Sequence, residues 1–180
     1  IFLDGKDISN YNLKSLRSNL ALVLQDVFLF SDTIYKNIVL DKNIPLSQVK
    51  EAAKAIGLED FIEQLPGGYN YNVRERGVML SAGQRQLIAF LRAYVSNPSV
   101  LILDEATSSV DSQTEELIQL ATEKLTQGRT SIVVAHRLAT IQNADKILVM
   151  EAGEIVESGT HTELLAKKGY YSNLFELQFS

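Results

Sequence analysis

The chain has 180 residues, of which 46% are hydrophobic and 22% are charged. These values match an average globular domain and exclude a wholly disordered chain. The 17 basic and 22 acidic residues leave a net charge of −5, which argues against a protein that holds nucleic acid by bulk positive charge. Cysteine is absent, so disulfide frameworks and thiolate metal sites are excluded.

The sequence shows neither a membrane span nor a secretory leader. No run reaches the roughly 18 apolar residues that a spanning helix needs, and the N-terminus lacks a basic and then apolar signal pattern. Residues 1–5 (Ile-Phe-Leu-Asp-Gly) are typical of a strand that enters a turn. Because the first residue is not Met, we expect the chain to be a piece of a longer protein.

The first half of the chain predicts two strands followed by a mainly helical stretch. Residues 1–30 indicate a strand, a helical turn around 13–18, and a second strand over 20–24 that ends at Gln25. Apolar residues lie on one helix face over 46–56, and Gly57 is a suitable helix stop. A longer helix is predicted over 82–95. We therefore expect residues 31–97 to form a helical subdomain.

From residue 98 onward the pattern alternates between strand and helix. Residues 100–103 form a continuous apolar run that is typical of a strand buried on both faces, and two further buried strands are predicted over 131–135 and 147–150. Ser112 and Glu115 form the pattern of a capping box at the start of a helix. Alternation of this kind predicts an α/β domain with a mainly parallel sheet, its core being residues 1–30 and 98–180.

Polar side chains follow three of the predicted strands. Gln25, the pair Asp104 and Glu105, and His136 each come at or just after a strand end, and ligands bind beyond the carboxyl ends of parallel strands. Adjacent side chains on an extended chain point in opposite directions, so one carboxylate could hold Mg²⁺ and the other could act as a general base. The alternative is a solvated carboxylate pair and a histidine that satisfies a structural hydrogen bond.

A second candidate site lies at the start of the helix over 82–95. Ser81 and Gln84 have the spacing of a capping box, and the free N–H groups of a helix N-terminus attract anions such as phosphate. Gly83 has no Cβ that would hinder close approach. The alternative is an ordinary helix cap.

For His161, which lies in another capping-box pattern, we favour a structural role.

Together these motifs resemble the nucleotide-binding domain of an ATP-binding cassette (ABC) transporter. Residues 80–84 (Leu-Ser-Ala-Gly-Gln) resemble the family signature Leu-Ser-Gly-Gly-Gln, with Ala82 in place of a glycine. Residues 99–105 match the Walker B strand with its catalytic glutamate, and residues 109–111 (Ser-Val-Asp) resemble the D-loop. His136 falls where the family has its switch histidine.

Two further segments resemble those of ABC exporters. Gln25, followed by residues 28–30 (Phe-Leu-Phe), resembles the Q-loop, and residues 73–77 (Val-Arg-Glu-Arg-Gly) resemble the segment before the signature. Arg74 replaces the more usual glycine of that segment. The resemblance covers essentially the whole chain, and it implies a P-loop NTPase-like core with an inserted helical subdomain.

For the intact protein the resemblance implies ATP hydrolysis with Mg²⁺. Asp104 and Gln25 would bind the metal ion, and Glu105 would polarise the attacking water. His136 would contact the γ-phosphate. The protein would therefore act chiefly by positioning groups and stabilising charge.

The resemblance also implies two partners. A second nucleotide-binding domain would pair head to tail, with Ser81, Gly83 and Gln84 reaching the γ-phosphate of the partner's nucleotide and Asp111 linking the two sites. Closure on ATP would drive the transmembrane domain of the transporter at the cytoplasmic face of the cell membrane. Gln25 and the segment around Glu75 are the couplers that the resemblance suggests, and no nucleic acid partner is expected.

One family motif is missing. The sequence contains no Gly-Lys-Ser or Gly-Lys-Thr, so it lacks the P-loop lysine and the Mg²⁺-binding hydroxyl. We expect the chain alone to hydrolyse ATP barely or not at all. In the family the P-loop strand lies between the strand before His136 and the strand over 147–150, so a gap in the sheet is predicted there.

Two other functions remain open on the sequence alone. A soluble ABC-type ATPase of DNA maintenance would carry a long coiled coil between its Walker motifs, but the stretch between Gln25 and Ser99 is too short and shows no sustained heptads. The third possibility is a non-catalytic interaction module that keeps the signature surface. Nucleotide binding by the chain alone distinguishes this possibility from the motor.

Overall fold

A computed structural model of the chain describes residues 1–105 and 110–179, which form a mixed α/β fold. The strands of this part are β1 (Phe2–Leu3), β2 (Lys6–Asp7), β3 (Leu20–Val23), β4 (Val100–Asp104), β5 (Thr130–Val134), β6 (Ile147–Glu151) and β7 (Glu154–Gly159). Its α-helices are α1 (Leu13–Ser18), α2 (Ile34–Val39), α3 (Leu46–Ala55), α4 (Glu59–Glu63), α5 (Ala82–Ser96), α6 (Ser112–Thr126), α7 (Leu138–Gln142), α8 (His161–Lys167) and α9 (Tyr170–Phe179).

The central sheet has the strand order β3-β4-β5. Strands β3 and β4 are parallel, with Leu20 opposite Val100 and Val23 opposite Leu103. The other pairs, β1 with β2 and β6 with β7, are antiparallel. Among the described strands none pairs with both β5 and β6. The prediction of an α/β fold with a parallel sheet is confirmed.

The larger core lies between one face of this sheet and the helices. Leu101 and Leu103 of β4 are almost fully buried, and they share a cluster with apolar side chains of α5 and α6. Helix α5 also packs against α2, α3 and β3. Its apolar side chains recur at helical spacing, as Leu87, Ile88 and Leu91 show, so the helix buries one continuous stripe against the sheet.

Two strands that the sequence predicted to be buried are largely exposed. In β5 the side chains alternate, and Ile132 is 57% exposed while Val133 packs against the core. In β6 Met150 is 61% exposed. The prediction was wrong because an apolar run does not reveal which faces are covered. Strand β5 packs one face on the larger core, and β6 belongs to an antiparallel hairpin, which can leave one face in solvent.

Of the three predicted capping boxes, those at the starts of α5 and α8 are present, and the one at the start of α6 is not. The capping box at Ser81 is present. Helix α6 begins one residue earlier than the predicted box, because the carboxylate of Asp111 accepts the Thr114 N–H at 2.9 Å and makes Asp111 the N-cap. Ser112 is therefore the first helical residue. At the predicted stop of α3, Gly57 has a φ of +77°, which glycine adopts without strain.

The chain divides into two compact units, Ile1–Val133 and Val134–Ser180. The second unit packs the β6–β7 hairpin on α8 and α9 around Val149, Leu164 and Tyr171. The predicted division into residues 1–30 with 98–180 and residues 31–97 stays a prediction. Within the described residues, no helix combines the length and the apolar content that crossing a membrane requires.

Polar groups fasten the second unit. The Glu157 carboxylate accepts the N–H groups of Tyr170 at 3.1 Å and Tyr171 at 2.9 Å, which ties β7 to the start of α9. His161 Nδ1 lies 2.6 Å from the Tyr171 hydroxyl oxygen, and the His161 ring also contacts Phe175. Burial raises the pKa of Tyr171. These contacts supply the structural role that the sequence suggested for His161.

Candidate functional site

The parallel pairing of β3 and β4 brings two predicted site segments to one edge of the sheet. Val23 lies opposite Leu103 in the register, so the residues that follow each of them leave at the same carboxyl edge. Neighbouring strands are about 4.8 Å apart. Gln25, Asp104 and Glu105 thus lie at or just after strand ends on the same edge of the sheet; that their side chains meet stays a prediction.

The two adjacent carboxylates occupy different environments. Asp104 is the last residue of β4 and is half-buried, whereas Glu105 is only 1% exposed. Gln25 is exposed. The difference follows from the alternation of side chains along an extended chain. A partly exposed carboxylate and an exposed amide are thus found at the same edge of the sheet as a carboxylate that the protein shields from bulk water.

The start of α5 is a complete capping box. The Gln84 N–H donates to Ser81 Oγ at 3.2 Å, and the Ser81 N–H donates to Gln84 Oε1 at 3.0 Å. In these bonds both side chains act as acceptors. The Ser81 hydroxyl proton and the Gln84 amide N–H groups remain able to donate to an anion, so a helix cap and an anion site are compatible here.

Gly83 has a structural role that the sequence did not reveal. It is buried, and a Cβ at this position would lie 2.7 Å from both Thr114 Cγ2 and Val110 Cγ1. Real Cβ atoms do not approach so closely, so the missing side chain lets α5 pack against the start of α6. The sequence interpretation, close approach of a ligand, is therefore not the only reason for a glycine at this position.

The packing of α5 on α6 places Asp111 near the capped turn. Asp111 is the N-cap of α6, directly after Val110, which contacts the Gly83 position. The Thr114 N–H that bonds to the Asp111 carboxylate holds its pKa below the ordinary value. Ser109, the first residue of the predicted D-loop segment, lies outside the described residues.

His136 belongs to the second unit. It is exposed and follows β5 by two residues. It is thus located just after a strand end, as the sequence predicted. That it meets Gln25, Asp104 and Glu105 stays a prediction.

Two residues that sequence reasoning missed hold the segment after Gln25. Asn37 is fully buried, and its side chain accepts the Phe30 N–H at 2.7 Å and donates to the Phe30 carbonyl oxygen at 3.0 Å. Arg92 Nε donates to the Asn37 carbonyl oxygen at 2.8 Å, and Nη2 donates to that of Phe28 at 3.4 Å. Burial lowers the pKa of Arg92. The sequence feature that could have revealed Asn37 and Arg92 is that each is a polar residue on an otherwise apolar helix face.

The backbone is strained at Arg74, in the segment just before the signature turn, which is residues 80–84. Its φ of 61° and ψ of −173° lie in a region that is essentially restricted to glycine. The turn continues through Gly77, whose φ is +70° and whose missing Cβ leaves room for Leu29 and Arg85. Arg85 Nη1 donates to the Leu80 carbonyl oxygen at 2.7 Å, which fixes the end of the segment against α5.

Replacing Arg74 with Gly is expected to stabilise the chain. Relief of strain is worth about 1–3 kcal/mol, and the greater freedom of glycine in the unfolded chain offsets about 0.5–1 kcal/mol. The free energy of unfolding should rise by about 1 kcal/mol and Tm by about 2–4 °C, as measured by thermal denaturation. Arg74→Ala is the matched control, because it removes the guanidinium and keeps the Cβ. An equal gain for Ala and Gly would contradict the strain explanation.

Comparisons with known proteins agree with these motifs. The family described as ABC transporter matches residues 1–108. The ATP-dependent lipid A-core flippase of Methylobacillus flagellatus is 50% identical over an alignment of 181 positions, which covers 99% of this chain and 31% of that protein. The flippase of the same name from Paraburkholderia xenovorans is also 50% identical, with coverages of 99% and 30%.

A solved structure shows the same fold. The structure of a bacterial Atm1-family ABC exporter with ATP bound has a TM-score of 0.88 and 40% identity to this chain, covering 99% of it and 32% of the exporter chain. The chain thus spans about a third of the length of the relatives it matches. The family match covers more than half of the chain, and the resemblance predicted from the motifs is confirmed. The chain belongs to the ABC transporter family.

Proposed function

We propose that the chain is part of the ATP-binding and ATP-hydrolysing motor of an ABC exporter. The observation that carries this proposal is the parallel pairing of β3 and β4, which brings Gln25 to the edge where Asp104 and Glu105 lie. The relatives support it, because one kind is named an ATP-dependent flippase and another is an exporter solved with ATP bound. They give no support to the alternative of DNA maintenance.

The donor set at this edge fits Mg²⁺. Asp104 and Gln25 offer a carboxylate and an amide oxygen, the hard ligands that this ion takes. The described residues hold no group of three or more His, Cys, Asp or Glu that could enclose a metal ion. Mg²⁺ usually takes one or two carboxylates together with substrate phosphates and water. Bound with ATP, the ion would neutralise charge that develops on the phosphate oxygens.

Glu105 and His136 would act on water and phosphate. Glu105 would orient a water molecule and accept its proton, and its burial would keep it away from competing bulk solvent. His136 would donate a hydrogen bond to the terminal phosphate. Positioning and charge stabilisation are the chief contributions of a protein to phosphoryl transfer.

The signature turn would serve a second nucleotide-binding domain. The Ser81 hydroxyl and the Gln84 amide can still donate, and they lie at the N-terminus of α5, where the helix dipole favours an anion. Gly83 packs this turn against the start of α6, so Asp111 lies beside it. Both would therefore face the same partner in a head-to-tail dimer.

Coupling would run to a transmembrane domain at the cytoplasmic face of the membrane. Gln25 and the segment around Glu75 would be the couplers. Asn37 and Arg92 hold the segment that follows Gln25, so movement of this segment would be transmitted to α2 and α5. Nucleotide binding would shift the population between open and closed arrangements.

The experiment that tests this function compares two proteins. One is the 180-residue chain, and the other is the chain joined to a P-loop segment from the Methylobacillus flagellatus flippase. Because the chain has no Gly-Lys-Ser or Gly-Lys-Thr, we expect the joined protein to bind ATP with Mg²⁺ and release phosphate, and the chain alone to do neither measurably. Calorimetry and a phosphate-release assay give the two readouts. A joined protein that folds and binds no ATP would favour the interaction module.

A further inference from the structure

A cleft of about 390 Å³ lies on the first unit, away from the proposed nucleotide site. Helix α3 forms one wall, with Gln48 and Glu51 among its residues. The end of α5 contributes Tyr94 and Asn97, and Arg129 comes from the residue before β5. The volume falls within the roughly 300–1,000 Å³ of small-molecule sites, and none of these residues has a role in the proposed motor.

Arg129 brings an unmet hydrogen-bond donor to this cleft. Its Nη1 atom is buried and has no hydrogen-bond partner, while its guanidinium lies 5.9 Å from the Tyr94 ring centre. Ser131, two residues further along the chain, also has a buried Oγ without a partner. Guanidinium groups carry five donors, and a buried donor left unmet is costly. Among the described residues, no acceptor is bonded to Arg129 Nη1.

A carboxylate lines the same cleft but does not accept a hydrogen bond from Arg129 Nη1. Glu51 is exposed on α3, and the ion pair found within 4.0 Å in the described residues joins Lys50 to Glu63 instead. The cleft thus presents one positive and one negative group that form no ion pair within 4.0 Å of each other. Ala52 adds apolar surface, and the amides of Gln48 and Asn97 add donors and acceptors.

We propose that this cleft binds a small zwitterion, with its carboxylate on Arg129 and its ammonium group facing Glu51. An anion alone would satisfy Arg129 but would meet the Glu51 carboxylate, and a cation alone would leave the Arg129 donor unmet. Only a molecule with both charges complements the two walls. Its carbon chain would lie against Ala52 and the Tyr94 ring.

The experiment measures binding of three matched probes to the 180-residue chain by calorimetry and saturation-transfer NMR. They are 4-aminobutyrate, which carries both charges, butyrate, which carries only the anion, and butylammonium, which carries only the cation. We expect the zwitterion to bind at least about fivefold more tightly than either of the others, the scale of a single hydrogen bond. Comparable affinity for butyrate, or no saturable binding of 4-aminobutyrate, would overturn the proposal.

Variants locate the site. Arg129→Gln and Glu51→Gln are each expected to weaken binding of 4-aminobutyrate at least about fivefold. The matched controls are Arg17→Gln and Glu116→Gln, which change exposed residues of α1 and α6 and should leave the affinity unchanged. Because Arg129 contacts Tyr94 and its replacement could disturb the fold, the exposed Glu51 variant decides the outcome in that case. An unchanged affinity for Glu51→Gln would contradict the assigned pairing.

Discussion

Replacing Glu105 with Gln in the chain joined to a P-loop segment is expected to lower ATP turnover about 10²–10⁴-fold, the usual contribution of a general base. The amide has nearly the shape of the carboxylate but cannot accept a proton from water. Glu105 is 1% exposed, so the matched volume of Gln preserves the packing around it. Binding of ATP and nucleotide-dependent dimerisation should survive, because neither needs proton transfer.

Three measurements separate these effects. Phosphate release reports turnover, calorimetry reports nucleotide affinity, and light scattering reports dimer formation. Glu116→Gln, which makes the same change at an exposed position of α6, is the matched control and should keep full turnover. Undiminished hydrolysis by the Glu105 variant would remove this residue from the role of base. Loss of ATP binding together with turnover would show that Glu105 holds the nucleotide instead.

The edge that carries this prediction could be found from sequence because two local signals coincide there. An apolar run ends at Asp104 and Glu105, and another apolar stretch ends just before Gln25. Parallel strands bring their carboxyl ends to one edge, so the two endings predict proximity. In the structure Val23 lies opposite Leu103, so β3 and β4 end at the same edge of the sheet. The strand pattern was sufficient here because the position of a strand end follows from the chain itself.

The hydrogen bonds that hold the segment after Gln25 could not be predicted from local sequence patterns. Arg92 donates to the Asn37 carbonyl oxygen across 55 residues of sequence, and no local pattern encodes such a pairing. The burial of β5 was mispredicted for a related reason. The apolar side chains of Ile132 and Val133 look alike in the sequence, but only Val133 packs against the core. What covers a strand face depends on other segments.

The two residues at the start of α6 show a third limit. Asp111 and Ser112 are both good N-caps, and a capping-box spacing favoured Ser112. The structure uses Asp111, whose carboxylate bonds to the Thr114 N–H. Gly83 was interpreted through a ligand, whereas its nearest neighbours are Val110 and Thr114. The requirement for a glycine at this position therefore comes from packing between α5 and α6, which a local sequence pattern does not reveal.

Replacing Ser81 with Arg is expected to abolish nucleotide-dependent dimerisation and to lower turnover at least about 100-fold in the joined protein, the scale of losing charge stabilisation at a phosphoryl group. Ser81 is exposed at the first turn of α5, beside the packed start of α6. The long arginine side chain would occupy the space that the partner's terminal phosphate needs. The cap is lost as well, at a cost of about 0.5–2 kcal/mol in stability.

Ser81→Ala separates the effect of steric exclusion of the phosphate from the effect of losing the helix cap. It loses the same hydroxyl and the same hydrogen bond to the Gln84 N–H without adding bulk, so its stability should fall as much, while its dimerisation, which loses one phosphate contact and meets no steric block, should fall far less than that of Ser81→Arg. Thermal denaturation and light scattering measure the two properties.

In a mixed dimer of Ser81→Arg with the unchanged protein, one of the two sites keeps an intact signature turn, and half of the site occupancy should remain. If closure on ATP survived in the Arg homodimer, the signature turn could not contact the partner's nucleotide.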